Sequence, residues 1–474
     1  MNQFDVLVIG SGTAGLFFAR KMADQGYRVC VADKSPPKAL GSRLAVFHID
    51  KEMFHRMGVP RPEPGDPDHV AQFDAGTYYP PFGQYMKRHE PGQTIVRAHY
   101  PFLLCRLKEF IARLRAWCLE VGVVFLDEAQ FTRLVYCKHG VRGAKFLCGS
   151  EEITVYARLT ADCSGPDAVA RRSLRKPTLV DNFELDPRDM MYVLLDYVKL
   201  DNPERDAPQC AEHWAYYKGW IGQAPNPDEC IIGVGANLSY NYAETCMQRF
   251  RQAVEMPPGK VVLRQRGSIP YRRPPHCMVD HGFVALGDAA CMNKWIGEGI
   301  TSGWMGCQIA AEVAGRAMRG GAYPTLESLW EFNVRYNSGQ QADFAYINAT
   351  AINAVDCSPE EMQYEFEQGI VFNDHAMTRL NREWNAELPP GEVVELVTKV
   401  ARGAATGNIS PATLRCLLRG IQYATLLKAH YKNYPKTPQS FEKWAARCDK
   451  LWNACGSLAD ATERCEKRGM EVMS

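Results

Sequence analysis

The sequence is 474 residues long, which exceeds one ordinary hydrophobic core and predicts two or three packed units that can bury a large ligand. Its 55 basic and 54 acidic residues leave a formal net charge of +1, so the charge balance excludes a strongly basic nucleic-acid-binding class. The 17 cysteines show neither CxxC pairs nor zinc-finger spacing with histidine, and we therefore expect no metal site and no redox dithiol.

The amino-terminal stretch MNQFDVLVIGSG lacks the pattern of a signal peptide, because it enters an apolar strand within a few residues. No apolar run reaches the roughly 20 residues that span a bilayer. Together with the many unpaired cysteines, these features predict a cytoplasmic protein that at most lies on a membrane surface.

The first segment predicts a βαβ unit. An apolar strand from Phe4 to Ile9 leads into the glycine turn from Gly10 to Gly15, and an amphipathic helix follows and ends at Gly26. A second strand, from Arg28 to Ala32, ends in Asp33. The strand, the glycine turn, the helix and the acidic strand end are in the register of a dinucleotide-binding unit.

Each part of this unit has a physical role. Gly10 permits the tight turn, Gly12 lets a pyrophosphate approach the backbone, and Gly15 lets the helix pack closely on the strand. The helix N-terminus presents N–H groups to the anion, and Asp33 is placed to accept hydrogen bonds from ribose hydroxyls. FAD and NAD both use such a unit, so this segment alone leaves the dinucleotide open.

Three further segments carry comparable signals. The residues from Pro101 to Phe125 predict a helix followed by a short strand, with Arg106 near the helix start. A strand runs into Asp162, and a Ser-Gly-Pro turn that includes Gly165 precedes a predicted helix with two arginines. The stretch GDAACMNKWIGEGITSG follows a strand at 283–286 and presents a second helix N-terminus beside a strand-end carboxylate.

The remaining segments predict a β-rich region and a helical region. Residues 175–280 contain short strands separated by proline-bearing turns, and 59–81 predict an irregular loop. The aromatic run HWAYYKGWIGQAP fits either a sheet core or the wall of a ligand pocket. The helix around Leu414–Leu427 carries basic residues, which suit either packing on the protein body or contact with an anionic membrane.

The combination of GxGxxG, an arginine before a helix, an Asp-x-x-Gly turn and a late GDAA…GEGI resembles the FAD-dependent geranylgeranyl reductase family, within the flavoproteins built like para-hydroxybenzoate hydroxylase. The resemblance implies an α/β fold with a Rossmann-type FAD-binding domain, a β-sheet substrate domain and a helical C-terminal region. The implied boundaries are 1–174 with 281–330 for the FAD-binding domain, 175–280 for the substrate domain and 331–474 for the helical region.

The resemblance also implies roles for individual residues. Asp288 is expected to bind ribityl hydroxyls, and the turn from Gly297 to Ile300 is expected to reach the flavin pyrimidine edge. Arg106 matches an arginine that contacts the cofactor, with a surface salt bridge as the alternative. The expected FAD-binding residues are Gly10, Ser11, Gly12, Thr13, Ala14, Gly15, Asp33, Lys34, Arg43, Arg106, Asp162, Gly165, Gly287, Asp288, Gly297, Gly299 and Ile300. The pocket candidates are Asn293, Trp295, His48, Trp214 and Tyr216, with no catalytic residue assigned.

The implied activity is the reduction of carbon–carbon double bonds in a bulky apolar substrate, with electrons from an external donor that is NAD(P)H, a ferredoxin or a quinol. The sequence LGSRLAVFHID lacks the cysteine that archaeal members carry in this region, so a cysteine-dependent mechanism is not expected. Two alternatives stay open: a flavin monooxygenase or halogenase-like enzyme that acts on an aromatic substrate, and a flavin-binding accessory protein without turnover.

The role assigned to Gly12 makes a direct prediction. Replacing Gly12 with valine should abolish FAD retention, because the added side chain blocks the approach of the pyrophosphate to the backbone. The flavin content of the purified variant, measured by its absorbance, checks this, and a normal FAD content would refute this placement of the pyrophosphate.

Overall fold

The computed structural model describes residues 3–42, 44–81, 95–206, 211–214, 217–293, 298–370, 372–383 and 387–473. Its strands are β1 (Gln3–Ile9), β2 (Val29–Ala32), β3 (Val46–Asp50), β4 (His69–Phe73), β5 (Gly76–Tyr79), β6 (Val96–Ala98), β7 (Phe102–Arg106), β8 (Val124–Leu126), β9 (Ala129–Cys137), β10 (Gly140–Cys148), β11 (Glu151–Asp162), β12 (Met190–Leu200), β13 (Ala211–Trp214), β14 (Lys218–Gln223), β15 (Glu229–Ala236), β16 (Gly259–Pro270), β17 (Val279–Asp280) and β18 (Phe283–Ala285).

The α-helices are α1 (Thr13–Ala23), α2 (Lys51–Met57), α3 (Leu107–Leu119), α4 (Pro203–Asp206), α5 (Tyr240–Ala253), α6 (Gly299–Ala317), α7 (Leu326–Tyr336), α8 (Ala342–Ala354), α9 (Pro359–Gln368), α10 (Asp374–Thr378), α11 (Pro390–Thr406), α12 (Pro411–Lys432), α13 (Phe441–Cys455) and α14 (Leu458–Met473). None of these described helices combines the length and apolarity needed to cross a bilayer.

The first sheet has a parallel centre with the strand order β18-β11-β1-β2-β8. Strands β2, β8 and β18 are entirely apolar, and residues 6–9 of β1 and 159–162 of β11 are buried, as expected for a parallel sheet covered on both faces. The helices α1, α3 and α6 pack against them within one continuous core, which extends to α7, α8, α12 and α13. The predicted Rossmann-type α/β fold is confirmed, and the helical C-terminal region shares its core.

The second sheet is antiparallel for most of its width and has the order β16-β12-β15-β14-β13-β5-β6. Strand β5 pairs in parallel with β13, and β6 extends the edge, so residues 76–79 and 96–98 contribute to the β-rich unit. The expectation that 175–280 forms this unit by itself is therefore incomplete. A separate cluster packs β5 and β6 against residues of α9 and α10, which ties the sheet to the helical region.

Three local predictions are wrong. The helix predicted from Pro101 begins only at Leu107, because 102–106 form β7 between β3 and β4. The irregular loop predicted for 59–81 contains β4 and β5, whose pairing partners lie far along the chain. The helix predicted after Asp162 is replaced by two short 3₁₀ turns, at 165–167 and 171–173.

The contact between α1 and α6 joins two segments that are almost 300 residues apart in sequence. Trp304 of α6 is completely buried, stacks on Phe17 of α1 with ring centroids 5.6 Å apart, and donates from its indole N–H to the carbonyl of Thr13 at 3.1 Å. The ring also contacts Phe54 and Phe110, so one side chain connects α1, α2, α3 and α6.

Replacing Trp304 with alanine should lower the free energy of unfolding by about 3–5 kcal/mol, because it leaves a cavity at this junction and removes the indole hydrogen bond. Trp304→Phe is the matched control, because it keeps an aromatic ring in the cavity and should lower the free energy of unfolding by less. Urea unfolding followed by circular dichroism measures both. An unchanged unfolding midpoint in Trp304→Ala would contradict the importance of this junction.

Candidate active site

Four strand ends meet at one edge of the parallel sheet. Because β1, β2, β11 and β18 run in the same direction, the residues that follow them lie side by side at the carboxyl edge, where ligands bind in open α/β sheets. A cavity of about 640 Å³ opens there, which lies in the range of ligand and cofactor sites. The residues after the four strands that line it are Gly10, Ser11, Gly12, Thr13, Ala14, Asp33, Lys34, Ser164, Gly165, Gly287 and Asp288.

The three glycines of the first turn differ in what surrounds them. Gly10 has a φ of +111°, and a Cβ there would lie 2.2 Å from the carbonyl oxygen of Cys163. A Cβ on Gly15 would lie 2.1 Å from the carbonyl oxygen of Gly10, so both positions exclude a side chain for reasons of packing. A Cβ on Gly12 would meet no atom of the described residues within 4 Å. Gly12 faces the cavity, and Gly15, which does not line it, serves the packing of the helix on the strand.

Asp33 is held in place by the glycine turn. One carboxylate oxygen accepts a hydrogen bond from the backbone N–H of Ser11 at 2.7 Å, and the other accepts one from Ser35 at 2.8 Å. Lys34 lines the same part of the cavity, with its Nζ 3.3 Å from a carboxylate oxygen of Asp167. The acidic end of β2 therefore faces the cavity in a fixed orientation.

The late glycine motif lies against the early one. Gly287 has a φ of +60°, and a Cβ there would lie 2.7 Å from the Cβ of Ala14. Asp288 follows and lines the cavity, and burial raises its pKa to about 6. The first residues of α6, Gly299 and Ile300, line the cavity as well.

Both helices begin at the cavity without a capping side chain within the described residues. The N-cap residue of α1 is Gly12, which has no side chain, and that of α6 is Glu298, whose side chain accepts no hydrogen bond from its own helix. The N–H groups of the first turns and the positive ends of both helix dipoles are therefore presented to the same cavity. This arrangement favours an extended anionic ligand that reaches from one helix to the other.

Two sequence candidates lie away from the cavity. The Arg106 guanidinium donates hydrogen bonds to the carbonyl oxygens of Pro67, His69 and Pro225 at 2.7–2.9 Å, so it joins these backbone segments. It does not line the cavity, and among the described residues it forms no salt bridge. Asp162 is completely buried and accepts hydrogen bonds from Ser164 and from the backbone N–H of Arg171. Burial raises the pKa of Asp162, and its role in this structure is to hold the turn that brings Ser164 and Gly165 to the cavity.

The other wall of the cavity belongs to the second sheet. An apolar face lines it with Met191, Val193, Leu195, Trp220, Ile231 and Ile269. Asn293 and His48, both expected in the pocket, line the cavity too, and Asn293 donates to the carbonyl of Pro270. Arg43, Trp295, Gly297 and Tyr216 lie outside the described residues, as does the side chain of Trp214.

Sequence reasoning missed four polar residues that line the cavity: Glu212, Lys218, Tyr271 and Glu298. Glu298 was present in the GEGI motif, where only the glycines were assigned roles. Lys218 lies 2.8 Å from a carboxylate oxygen of Glu212. Glu212 directly precedes the aromatic run HWAYYKGWIGQAP and Lys218 lies within it, so an acidic and a basic residue among the aromatic side chains were the available signal.

Comparisons with known proteins agree with this geometry. A family model described as an FAD binding domain matches residues 5–46. The digeranylgeranylglycerophospholipid reductase of Sulfolobus acidocaldarius is 21% identical over 467 residues, which cover 95% of this chain and 97% of that protein. A geranylgeranyl bacteriochlorophyll reductase-like structure from Thermoplasma acidophilum superposes with a TM-score of 0.62 at 16% identity, over 85% of this chain and 97% of that one. A flavin-dependent brominase gives a TM-score of 0.58 at 17% identity, over 84% and 99%.

The protein is an FAD-dependent oxidoreductase, and its cofactor is FAD. Within this class, the resemblance to geranylgeranyl reductases that the motifs indicated is confirmed by the similarity to the Sulfolobus reductase along nearly the whole chain.

The raised pKa of Asp288 makes a prediction about stability. A carboxyl whose pKa is higher in the folded protein than in the unfolded chain destabilises the fold as the pH rises through that interval. The cofactor-free Asp288→Asn variant should therefore gain stability over the wild type, and the gain should grow by about 1–2 kcal/mol between about pH 4.5 and about pH 7.5. Urea unfolding of the apoproteins at both pH values measures this gain.

Asp201→Asn is the control, because Asp201 is exposed and should show no growing difference. A stability gain in Asp288→Asn that is equal at both pH values would contradict the burial of an ionisable carboxyl at this position.

Proposed function

We propose that FAD lies extended in the cavity between the two helix N-termini. The diphosphate would lie at the turn from Gly10 to Gly15, the ribose at Asp33, the ribityl chain at Asp288 and the pyrimidine edge at Gly299 and Ile300. The open space beside Gly12 supports this arrangement, since no protein atom accounts for the missing side chain there. The uncapped N-termini of α1 and α6 supply N–H groups for the diphosphate and for the edge of the ring that becomes negative on reduction.

The proposed reaction is the reduction of carbon–carbon double bonds in a bulky prenyl-type substrate. The observation that carries it is the continuity of one cavity from the phosphate-binding turn to the apolar face of the second sheet. Aliphatic side chains and Trp220 form that face, and such a wall excludes water and holds a long apolar chain by burial. The similarity to a reductase named for a digeranylgeranyl lipid supports the same substrate class.

The protein's own contribution is positioning. Reduced FAD, when bound, supplies a hydride to the substrate. The sheet wall holds the apolar chain, and the backbone at the start of α6 orients the ring. The electrons come from an external donor, for which NAD(P)H, a ferredoxin and a quinol are the candidates. The GVGANL segment lies in and just after β15 and forms no second glycine turn before a helix, so it does not single out NAD(P)H by a binding unit of its own.

A peripheral membrane contact is part of the same proposal. Helix α12 packs on α8 through small and aromatic residues, and it leaves Leu418 and Ile421 exposed. Helix α11 exposes Val394 and Val397 to 68% and 59%. A prenyl lipid has to leave its bilayer to reach the cavity, and exposed apolar side chains on these helices would serve that transfer. Of the basic residues on α12, Lys428 is already paired with Asp343 and Glu387.

The second candidate is an oxygenase or halogenase that acts on an aromatic ring. The fold similarity to a flavin-dependent brominase and the presence of Trp220 and Tyr271 in the wall favour it. The two reactions differ in what reoxidises the reduced flavin: a prenyl alkene in the first, and oxygen in the second. In an accessory protein without turnover, neither a prenyl alkene nor an aromatic substrate would be converted when the reduced flavin is reoxidised.

The holoenzyme, reduced with dithionite without oxygen, should be reoxidised on mixing with digeranylgeranylglycerophospholipid in detergent micelles, and the lipid should gain two hydrogen atoms per double bond. Stopped-flow absorbance and mass spectrometry measure the two events. If the reduced flavin is reoxidised by oxygen and not by the lipid, and an added aromatic compound is hydroxylated or halogenated, the reductase function is contradicted and the second candidate is supported.

The variant Gly235→Val tests whether the apolar wall holds the substrate. Gly235 lines the cavity on β15, and a Cβ there would lie 3.4 Å from the sulfur of Met191, an ordinary contact. The variant should keep its FAD, because it lies far from the glycine turn in sequence and on the opposite wall. Its reoxidation by the lipid should slow by about 10-fold or more, since the added side chain narrows the space for the alkene.

A further inference from the structure

The polar residues of the substrate wall are grouped around a second, smaller cavity. Its volume is about 10 Å³, close to what one water molecule requires. His48, Glu212 and Lys218 line both cavities, so the small cavity adjoins the main one at these side chains. The other residues that line the small cavity are Tyr78, Tyr100, Met377 and Asn381.

His48 is the residue that joins this polar group to the cofactor side. Its Nε2 lies 3.9 Å from a carboxylate oxygen of Glu298, whose side chain is 2% exposed and which is the N-cap residue of α6. The edge of Phe102 packs against the imidazole, with ring centroids 6.0 Å apart. The ring is thus held between an aromatic side chain on β7 and a carboxylate at the start of the helix that faces the flavin.

Behind His48, hydrogen-bonding groups continue away from the main cavity. The hydroxyl of Tyr78 accepts a hydrogen bond from Nδ2 of Asn381 at 3.1 Å and interacts with Tyr100. Burial, with the charges of Glu212 and Glu298 as further causes, raises the pKa of Tyr78. The phenol therefore keeps its proton at neutral pH. Tyr78 is thus a poor acid by itself, and a neighbouring group with a lower pKa has to donate the proton.

The reduction of a double bond needs an acid as well as a hydride. One carbon receives the hydride with its electron pair, the π bond breaks, and the other carbon must receive a proton, while FAD is oxidised. Among the described groups at this wall, Lys218 is paired with Glu212, and the phenol of Tyr271 has a pKa raised well above its usual value by burial. Histidine is the side chain that ordinarily carries an exchangeable proton near neutral pH.

We propose that His48 is the acid that protonates the substrate carbon, that Glu298 is a positioning residue that stabilises its protonated ring, and that a water in the small cavity returns the proton. This inference rests on the proposed reductase function. The carboxylate beside the imidazole favours the charged form, and the N-cap position of Glu298 suits a negative charge. No other co-reactant is required, because the proton comes from solvent and the electrons come from the reduced flavin.

The test uses His48→Gln in the holoenzyme, with His55→Gln as the control. His55 is exposed on α2, and its substitution should leave reoxidation unchanged. His48→Gln should keep its FAD content and its reduction by dithionite, while reoxidation by digeranylgeranylglycerophospholipid should slow by about 100-fold or more. A rate in His48→Gln within about threefold of the wild type would overturn the inference, since general acid catalysis contributes far more than that.

A pH profile separates an acid from a residue that only shapes the pocket. The wild-type rate of reoxidation should fall as the pH rises through the titration of the imidazole, and this limb should be absent in His48→Gln. Among the described residues, the titratable groups beside His48 are Glu298 at the start of α6 and, in the lining of the small cavity, Tyr78 on β5, Tyr100, Glu212 on β13 and Lys218 on β14. Glu298→Gln should keep the limb but move it to lower pH, because the ring loses the carboxylate that stabilises its charge. Identical profiles in the wild type and His48→Gln would overturn the inference.

The outcomes distinguish this inference from the proposed function. If the wild type reduces the lipid and His48→Gln does so equally well, the function stands and the acid is another group. If the reduced wild type is not reoxidised by the lipid without oxygen, the reductase function itself is wrong, and the role of His48 falls with it.

Discussion

The close contact of the first turns of α1 and α6 is the constraint on which the site depends. It requires Gly287 to lack a side chain beside Ala14, and it is held by Trp304 stacked on Phe17. Two helix N-termini then face one cavity, and their dipoles oppose each other there in the absence of a ligand. An extended anionic cofactor relieves this repulsion, so the binding of FAD and the stability of the junction are expected to be coupled.

In the proposed function, the second sheet supplies the wall that would hold the substrate beside the cofactor. Its central strands, β12, β14 and β15, present an apolar face to the cavity, while β5 and β6 anchor the sheet on the helical region through a separate cluster. The wall is thus supported at its β5–β6 edge by another part of the chain. In the proposed function, this support would keep a long apolar chain in one place relative to the flavin, and positioning of this type is a large part of catalysis.

The sequence predicted the βαβ unit well because its signals are local. Strand periodicity, the glycine spacing and Asp33 all fall within about 30 residues, and the predicted bounds differ from those of β1, α1 and β2 by few residues. The prediction failed where long-range pairing decides the structure. The apolar run from Phe102 suited a helix as well as a strand, and only its partners β3 and β4 select the strand. Arg106 matched a motif position, but its guanidinium points to the carbonyl oxygens of Pro67 and Pro225. These loops are distant in sequence, so the local pattern around Arg106 does not predict the contact.

What the sequence alone determined was the class of ligand and the two segments that face it, since a glycine turn before a helix has the same backbone chemistry wherever it occurs. Tertiary structure alone decided that Glu212, Lys218 and Glu298 line the cavity together with His48, which the sequence had offered as a pocket candidate, because the four residues come from separate elements. Their proximity follows from strand pairing and helix packing over long sequence distances. Such contacts depend on burial of the whole core, and no short stretch of residues encodes them.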